Sequence, residues 1–403
     1  MDPLTHALSG AVAGRAFVAE PDSKSGCLAR AALLVGTVFP DSDVLLNPFE
    51  PNGLGTIRFH RGVTHSFVCL PMFAALLATA LAWFCRWRKI ECPSWLRLSV
   101  LLGAGIGLHI VFDAITSFGT LVWSPLSWTR VSWDTTFIID PILTLILLLP
   151  LLLGWIYRQR EKAEWRGALL WIGLSVVALG VVWILKVFER IAASPEATSL
   201  QLGLDLLPSL WIAGAVSGLL ACVLGLPAMR GGGFGLPRRA WCRAGVAFAA
   251  AYLLASAGAH AMALRRVEDF ARSRGLQVQN IGALPMPPSI LFWAGLVSTP
   301  DRIYYSYFSL LNAGSPQFRE YEQSPPDARI QEALALPNVQ IVLRFFRFPL
   351  IIDRERQDGL TDVDFYDLRF LPARGASLSF SYRVRMDAES GRIREQGWLV
   401  PRK

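Results

Sequence analysis

Long apolar segments constrain this chain more than any other feature of its sequence. The hydrophobic fraction is 53% and the charged fraction only 17%, whereas charged residues make up about 25% of an ordinary soluble protein. A helix needs about 20 predominantly apolar residues to cross the core of a bilayer. Four uninterrupted stretches of this kind occupy residues 67–85, 138–157, 168–188 and 241–264. We therefore expect a membrane protein.

Four further segments are less uniform. Residues 208–227 are nearly as apolar, and residues 98–115 qualify apart from two ionisable side chains. Residues 3–19 and 28–46 are shorter or interrupted, and the sequence leaves open whether they are full spans, half-inserted helices or re-entrant segments. The sequence therefore predicts an α-helical polytopic membrane protein with six to eight membrane helices.

Polar residues with metal-binding chemistry lie at one end of each of the first five segments. If neighbouring segments are antiparallel helices, all of these ends reach the same face of the membrane. Nine residues share this placement, namely His6, Asp41, Asp43, His60, His65, His109, Asp113, Asp134 and Asp140. Ionisable residues within a span are costly and usually functional. The alternation therefore predicts a cluster of histidines and aspartates at one membrane face.

The spacing of these residues supports this interpretation but also allows simpler ones. His109 and Asp113 are four positions apart, so they share one face of a helix. His60 and His65 are five positions apart and flank an arginine and a glycine. Helix caps at headgroup level, solvated end charges and a structural hydrogen bond between helices are the alternatives. His260, a lone histidine on an apolar segment, is more typical of a packed or interfacial residue than of a ligand, and a role in the outer shell of the site is the alternative.

The net charge of +8 does not indicate nucleic-acid binding, because the basic residues lie in short clusters between the apolar segments. Links with many basic residues alternate with links that have few, fifteen against four, as the positive-inside rule requires. The basic links contain Arg15, Lys24, Arg30, Arg86, Arg88, Lys89, Arg97, Arg158, Arg160, Lys162, Arg166, Arg230, Arg238, Arg239 and Arg243, and the others Arg58, Arg61, Arg130 and Arg190. We therefore expect the cluster and the C-terminal region on the extracytoplasmic side.

The composition changes after residue 264. Alternating apolar residues and turn-forming residues predict several strands, with a helix at residues 327–336 and a β-rich run at residues 339–351. We divide the chain into a metal-site membrane domain (1–160), additional transmembrane helices (161–264) and a soluble extracytoplasmic α+β domain (265–403). A covering, substrate-guiding or partner-binding role is expected for the last of these.

Imidazole and carboxylate groups together suit zinc, iron or manganese. The number of candidates indicates one or more divalent ions, with zinc the first expectation and manganese the alternative. Such a site lowers the pKa of water to about 7 and holds both oxygens of a phosphoryl displacement. Arg61 and Arg130 are candidate anion binders because guanidinium groups pair bidentately with phosphate. Asp134 and Asp140 are candidates for a further ligand or a general base.

A site at the membrane boundary favours a lipid phosphoester or another amphiphilic ester as substrate. An intramembrane metalloprotease is the less favoured hydrolase because the chain lacks the HExxH motif. A metal-ion or proton-coupled transporter is the alternative from another class of protein. Transport predicts polar groups on both sides of the bilayer midplane, whereas the polar residues here cluster at one face. The expected partners are therefore the lipid bilayer and an amphiphilic substrate, with no nucleic acid.

Five ordered motifs lie within residues 1–160. They are Asp2-Pro-Leu-Thr-His6, Pro40-Asp-Ser-Asp43, His60-Arg-Gly-Val-Thr-His-Ser66, His109-x-x-x-Asp113 with Thr116-Ser-Phe-Gly-Thr120, and Phe137-Ile-Ile-Asp-Pro141. Together they resemble the LexA-regulated, inner-membrane-associated, metal-dependent hydrolases, a family remotely similar to the all-helical zinc phospholipase C and single-strand nuclease enzymes. The resemblance implies a bacterial-type inner-membrane hydrolase. It also implies that the metal ligands are His6, Asp41, His65, His109 and Asp113, joined by Asp43 and His60.

Overall fold

The N-terminal two thirds of the chain are helical, and antiparallel sheets dominate the rest. The computed structural model describes residues 1–18, 23–50, 53–193, 207–287, 289–356, 358–371 and 380–399. The helices up to residue 273 are α1 (Pro3–Phe17), α2 (Lys24–Val38), α3 (Gly55–Arg58), α4 (Leu70–Arg88), α5 (Trp95–Ala114), α6 (Pro141–Ile156), α7 (Arg160–Ala193), α8 (Leu207–Gly225) and α9 (Arg238–Ser273). Short 3-10 helices occupy Phe39–Phe49, Val63–His65 and Leu226–Gly235.

Three of the described helices, α4, α5 and α9, are long and apolar enough to cross a membrane. Helix α6 is apolar but shorter. The outer face of α4 is apolar and exposed, with Leu76 59% and Trp83 67% accessible, as a face in contact with lipid requires. A helical membrane region is therefore confirmed, and the total of six to eight spans stays a prediction.

Local chemistry explains where α1 begins and where α2 ends. The Asp2 carboxylate accepts a hydrogen bond from Thr5 N at 3.0 Å, and Pro3 occupies the first turn of α1. At the C-terminal end of α2, Pro40 has no N–H to continue the hydrogen-bond ladder of the helix. The chain there changes to the 3-10 helix Phe39–Phe49, which carries two of the candidate aspartates beyond the end of α2.

Helices α2 and α5 approach each other through two glycines. A Cβ atom added to Gly36 would lie 2.3 Å from the Leu102 carbonyl oxygen, and one added to Gly105 would lie 2.3 Å from the Leu33 carbonyl oxygen. Small residues let helix backbones pack this closely in membranes. The contact lies one turn before His109 on α5, so it determines how closely the C-terminal ends of the two helices meet.

The sheets are built from consecutive strands. The first contains β1 (Asn280–Met286), β2 (Phe292–Ser298), β3 (Arg302–Ser309) and β4 (Arg319–Glu322), and the second contains β5 (Pro349–Glu355), β6 (Leu360–Asp367), β7 (Ser381–Asp387) and β8 (Ile393–Trp398). All neighbouring strands are antiparallel. Helices α10 (Ala328–Leu334) and α11 (Pro337–Phe345) connect the two sheets. Residues 372–379, before β7, lie outside the described residues.

The prediction of a β-rich run at residues 339–351 is wrong for its first half, which belongs to α11. Pro337 lies in the first turn of this helix. Val339, Val342 and Phe345 are each at most 2% exposed, and their spacing of three places them on one helix face. A strand would instead bury every second residue, so the period of the buried positions, rather than their β-branched character, determines the structure here.

The described chain divides into two compact units. One contains residues 1–147 together with residues 247–403, and the other contains residues 148–246. In the first unit, Ile57 and Phe118 share a hydrophobic core with Val342, Phe345 and Val363. The helical N-terminal region and the C-terminal sheets therefore have a common core. In the second unit, the Tyr157 hydroxyl donates to the Leu224 carbonyl at 2.6 Å.

We predict that Gly105→Ala lowers the free energy of unfolding by about 1–3 kcal/mol, the usual cost of overpacking. The added methyl group would meet backbone atoms of α2, which cannot move without separating the helices. Gly107→Ala on the same helix is the matched control, because its Cβ would lie 3.5 Å from Leu70 Cδ1, an ordinary contact. Thermal unfolding in detergent measures the melting temperature of each variant and of the wild type. A Gly105→Ala variant that melts at the same temperature as Gly107→Ala would contradict the close packing.

Candidate metal centre

Four donor atoms converge between α5 and the segments that precede α4. One donor atom from each of Asp41, His65, His109 and Asp113 lies within 4.8 Å of the other three. The two Nε2 atoms of His65 and His109 are 3.0 Å apart. Asp113 Oδ2 is 3.2 Å from His65 Nε2 and 3.5 Å from His109 Nε2. Asp41 Oδ1 is 3.5 Å from each of the same nitrogen atoms.

These separations are equal to or slightly shorter than those of a tetrahedral metal site. Zinc binds nitrogen and oxygen ligands at about 2.0–2.2 Å, so tetrahedral ligands lie about 3.3–3.6 Å apart. The five distances above run from 3.0 to 3.5 Å. The four donors could therefore hold a metal ion, and the same distances also permit hydrogen bonds between a protonated histidine and the carboxylates.

The contacts of Nδ1 in each histidine indicate that Nε2 is the ring nitrogen free to bind a metal ion. His109 Nδ1 lies 2.7 Å from the Thr37 carbonyl oxygen, which can only accept, so Nδ1 carries the proton. His65 Nδ1 lies 3.2 Å from Asp43 Oδ2 and 3.0 Å from Thr64 Oγ1. A histidine that ligates a metal typically donates its other ring N–H in this way. If both rings are neutral and carry their proton on Nδ1, the Nε2 lone pairs of His65 and His109 point toward each other.

That arrangement requires a positive charge between the two rings. Two lone pairs 3.0 Å apart repel each other, and two carboxylates add further negative charge. Asp113 Oδ2 is buried, and apart from the two Nε2 atoms it has no hydrogen-bond partner among the described residues. The donor set therefore fits a bound divalent cation, or a proton in its place. Two imidazoles with two carboxylates suit zinc, iron or manganese.

Asp43 contacts two histidines and lies just outside this centre. Its Oδ1 is 2.8 Å from His60 Nδ1, while Oδ2 accepts from Arg61 N at 3.1 Å and Thr64 Oγ1 at 2.9 Å. Asp43, His60 and His65 form a second group with metal-binding potential. Both Asp43 oxygens already accept hydrogen bonds from the protein, so we interpret this residue as orienting the two histidines.

His6 lies beside the centre and contacts two of its members. Its ring stacks on His109 with centroids 3.6 Å apart, and its Nε2 is 3.2 Å from Asp113 Oδ1. Its Nδ1 is buried without a hydrogen-bond partner among the described residues. His6 does not belong to either donor group. The N-terminal amine of Met1 also contacts Asp113 Oδ1. His6 therefore packs against the ligand set, and its assignment as a ligand stays a prediction.

Arg61, a predicted anion binder, holds Asp113 instead. Its Nη2 is 2.9 Å from Asp113 Oδ1, and its Nη1 donates to Thr116 Oγ1 at 3.0 Å. The guanidinium lies over the Phe118 ring at 4.6 Å, and Arg61 is 1% exposed. These contacts leave Arg61 to position Asp113 rather than to receive a ligand from solution.

Asp134 and Asp140 make their hydrogen bonds outside the centre. Both Asp134 oxygens accept from Arg347 Nη1, at 2.9 and 2.8 Å. Asp140 Oδ1 caps α6, and its Oδ2 accepts from Tyr252 and Ser289. Neither residue is in a candidate metal group of the described chain. Their assigned roles as ligand or base stay predictions, and in the structure these carboxylates connect the N-terminal region to later parts of the chain.

The pKa values outside the spanning helices reflect the same charge balance. Burial alone would lower the pKa of His65, but hydrogen bonds to Asp113, Asp41 and Asp43 outweigh it and raise that pKa to about 10. Burial would raise the pKa values of Asp41 and Asp43, but hydrogen bonds to histidines hold both well below their usual range. In the metal-free protein, His65 therefore carries a proton between ionised carboxylates.

Beside the centre lies a cavity of about 570 Å³. Asp43 and Thr64, the two residues that contact His65 Nδ1, form part of its wall. Arg130, the other predicted anion binder, lines it as well. Helix α11 contributes Arg344 and further residues. Sequence reasoning missed this helix and also Thr37 and Thr64, because a carbonyl or hydroxyl that supports a histidine has no recognisable spacing in the chain.

Fold and site together define a helical membrane protein with a buried His/Asp cluster suited to a metal ion. The family model described as YdjM inner membrane protein matches residues 1–188, which contain every residue of the centre. No curated protein and no solved structure matches the chain. The family match and the apolar helices support an inner-membrane location, as the resemblance of the motifs implies.

We predict that His109→Ala abolishes stoichiometric binding of zinc or manganese, because two of the four donors lie on α5 and neither can be replaced locally. His260→Ala is the matched control, since His260 packs against Trp293 with centroids 5.7 Å apart and lies outside both donor groups. Elemental analysis of each detergent-purified protein, prepared without chelator, gives the metal content per chain. A full complement of metal in His109→Ala would contradict the assignment.

We predict a graded effect for Asp43→Asn. The amide keeps the size of the carboxylate but holds His65 Nδ1 less strongly, and loss of such an outer contact weakens metal affinity about 10- to 100-fold. Competition with a chelating dye measures the affinity, with Asp387→Asn at a turn far along the chain as control. Unchanged affinity would remove Asp43 from the centre, and complete loss of binding would make it a direct ligand.

Proposed function

We propose that the protein is a metal-dependent hydrolase of the inner membrane that cleaves a phosphoester of a lipid or another amphiphile at the extracytoplasmic face. The convergence of His65 Nε2, His109 Nε2, Asp41 Oδ1 and Asp113 Oδ2 at ligand spacing carries this proposal. The one-sided placement of polar residues favours hydrolysis over transport, and the alternation of basic links supports the orientation.

When bound at these residues, a divalent ion supplies Lewis acidity and lowers the pKa of a coordinated water to about 7. The chain's own residues prepare the site for that chemistry. Arg61 holds Asp113, and Asp43 with Thr64 holds His65. Asp41 is the one partly exposed member of the donor set, with 19% of its side chain accessible against 0% for the other three, so the centre is open to solvent at Asp41.

We propose His60 as the residue that accepts a proton. Its Nδ1 lies 2.8 Å from Asp43 Oδ1, and a proton on Nδ1 that is donated to this carboxylate leaves Nε2 as the acceptor of the ring. The side chain is 18% exposed, unlike the buried rings of His65 and His109. A base oriented by a carboxylate in this way is suited to take a proton from water.

The test is hydrolysis by the detergent-purified chain, measured as phosphate release from phosphatidic acid and polyprenyl phosphates and as release of the phosphorylated headgroup from phosphodiester phospholipids. In Asp113→Asn we expect kcat/KM to fall by more than the roughly 10- to 100-fold that loss of an outer contact costs. Asp269→Asn is the matched control, because Asp269 is exposed and pairs only with Arg272 among the described residues. A hydrolysis rate that is unchanged both in Asp113→Asn and after removal of metal by a chelator would contradict the proposal.

A further inference from the structure

The cavity beside the metal centre is built by two distant parts of the chain. Asp43, Val63 and Thr64 line it from the N-terminal region, whereas Ile341 and Arg344 line it from α11. Its volume of about 570 Å³ falls within the range of about 300–1,000 Å³ typical of small-molecule sites. Without α11, this space would have no wall on the C-terminal side.

Arg130 brings an unbalanced positive charge to the cavity. Its guanidinium donates to three backbone carbonyls, those of Gly119, Ile57 and His60, at 2.9–3.3 Å. Among the described residues no carboxylate lies within ion-pair distance of it. Nearby Arg61, by contrast, pairs with a carboxylate at 2.9 Å.

The remaining charges of the cavity do not cancel that of Arg130. Arg58 pairs with Glu50 at 2.8 Å, and Asp43 is engaged by two histidines. Arg344 is exposed and makes no ion pair or hydrogen bond in the described part of the chain. Two arginines therefore face one cavity with no carboxylate of the described residues within ion-pair distance, and an anion bound there would interact with both.

The rest of the wall is apolar and continues onto an exposed apolar surface. Leu46 and Trp128 line the cavity and are 48% and 59% exposed. The same two segments also expose Val44, Leu45, Phe49, Trp123 and Leu126. Soluble surfaces seldom collect so many large apolar side chains, and tryptophans are enriched at membrane–water interfaces. An occupant of the cavity would therefore enter from the bilayer.

We propose that this cavity binds a membrane lipid with a phosphate headgroup, with Arg130 and Arg344 at the phosphate and the apolar wall along the start of the lipid chain. The inference deepens the proposed function and rests on it for the identity of the reacting bond. It also gives α11, and with it the C-terminal region, a direct part in substrate binding. Arg344 is then a specificity-determining residue contributed by the second half of the chain.

The first test measures lipid binding by native mass spectrometry of the full chain in detergent. The probes are dioleoyl phosphatidic acid and dioleoylglycerol, which share their acyl chains and differ by the phosphate. We expect the wild type to prefer phosphatidic acid and Arg344→Gln to lose about tenfold or more of that affinity, as for a hydrogen bond to a charged group. Arg354→Gln, an exposed arginine on β5, is the matched control and should bind like wild type.

The second test fills the apolar part of the cavity. Ile341→Trp adds bulk on α11 and should weaken phosphatidic acid binding at least as much as Arg344→Gln, whereas Ile341→Val should not. Competition with inorganic phosphate distinguishes binding of the phosphate group alone from binding of the whole lipid. We expect inorganic phosphate to displace phosphatidic acid only at much higher concentration. Phosphate that competes as well as phosphatidic acid, or Ile341→Trp that binds normally, would overturn the assignment of a lipid.

Metal content separates this inference from the proposed function. Arg344→Gln and Ile341→Trp should both retain the wild-type metal stoichiometry, because neither residue contacts the four donors. Selective loss of lipid binding with metal intact is the expected result. Equal binding of phosphatidic acid and dioleoylglycerol by wild type would overturn the inference while leaving the metal centre in place. Loss of metal together with lipid would show that these residues support the fold instead.

Discussion

Two imidazole nitrogens 3.0 Å apart, buried between two carboxylates, form the arrangement on which the rest of the structure depends. It exists only if the ends of α2 and α5 and the turn Val63–His65 stay in place. The close glycine contact of α2 with α5 provides the first condition. The break at Pro40 acts at the same end of α2, because the chain continues there as a 3-10 helix that brings Asp41 Oδ1 within 3.5 Å of His109 Nε2 on α5. Several local features of the first 115 residues thus contribute to one cluster.

The contacts around the cluster show why the C-terminal sheets belong to the same compact unit. Phe118 packs beneath the guanidinium of Arg61 at 4.6 Å and also against Phe345 of α11 at 4.8 Å. Arg369 donates to the Ser117 carbonyl at 2.8 Å. The loop that supports Arg61, and through it Asp113, is therefore packed against residues more than 200 positions later in the chain. A change in the sheets would be transmitted to the centre through this loop.

The sequence carries a local signal for the residues that the structure brings together. The end of an apolar segment at which a residue lies can be read directly, and alternation of the segments then brings His65, His109 and Asp113 together. Long-range partners have no such signal. Arg347 reaches Asp134 across 213 positions, and Arg61 turns inward to Asp113, so neither engagement follows from spacing. Helix α11 escapes prediction for a different reason, since its β-branched residues resemble a strand until the period of burial is known.

The number of protein donors in the centre bears on whether a bound metal would be structural or catalytic. Four protein ligands complete a tetrahedron, which is the pattern of a structural zinc site, whereas catalytic sites keep a position open. Asp41 relieves this conflict, because it is the donor that solvent reaches and it lies on a 3-10 segment rather than on α5. An ion of higher coordination number, such as manganese, would relieve it as well by keeping all four donors and adding solvent positions. The choice of metal therefore depends on whether Asp41 can move away from the ion. If Asp41 stays bound, catalysis requires an ion with more than four ligands, whereas an Asp41 that can dissociate permits zinc.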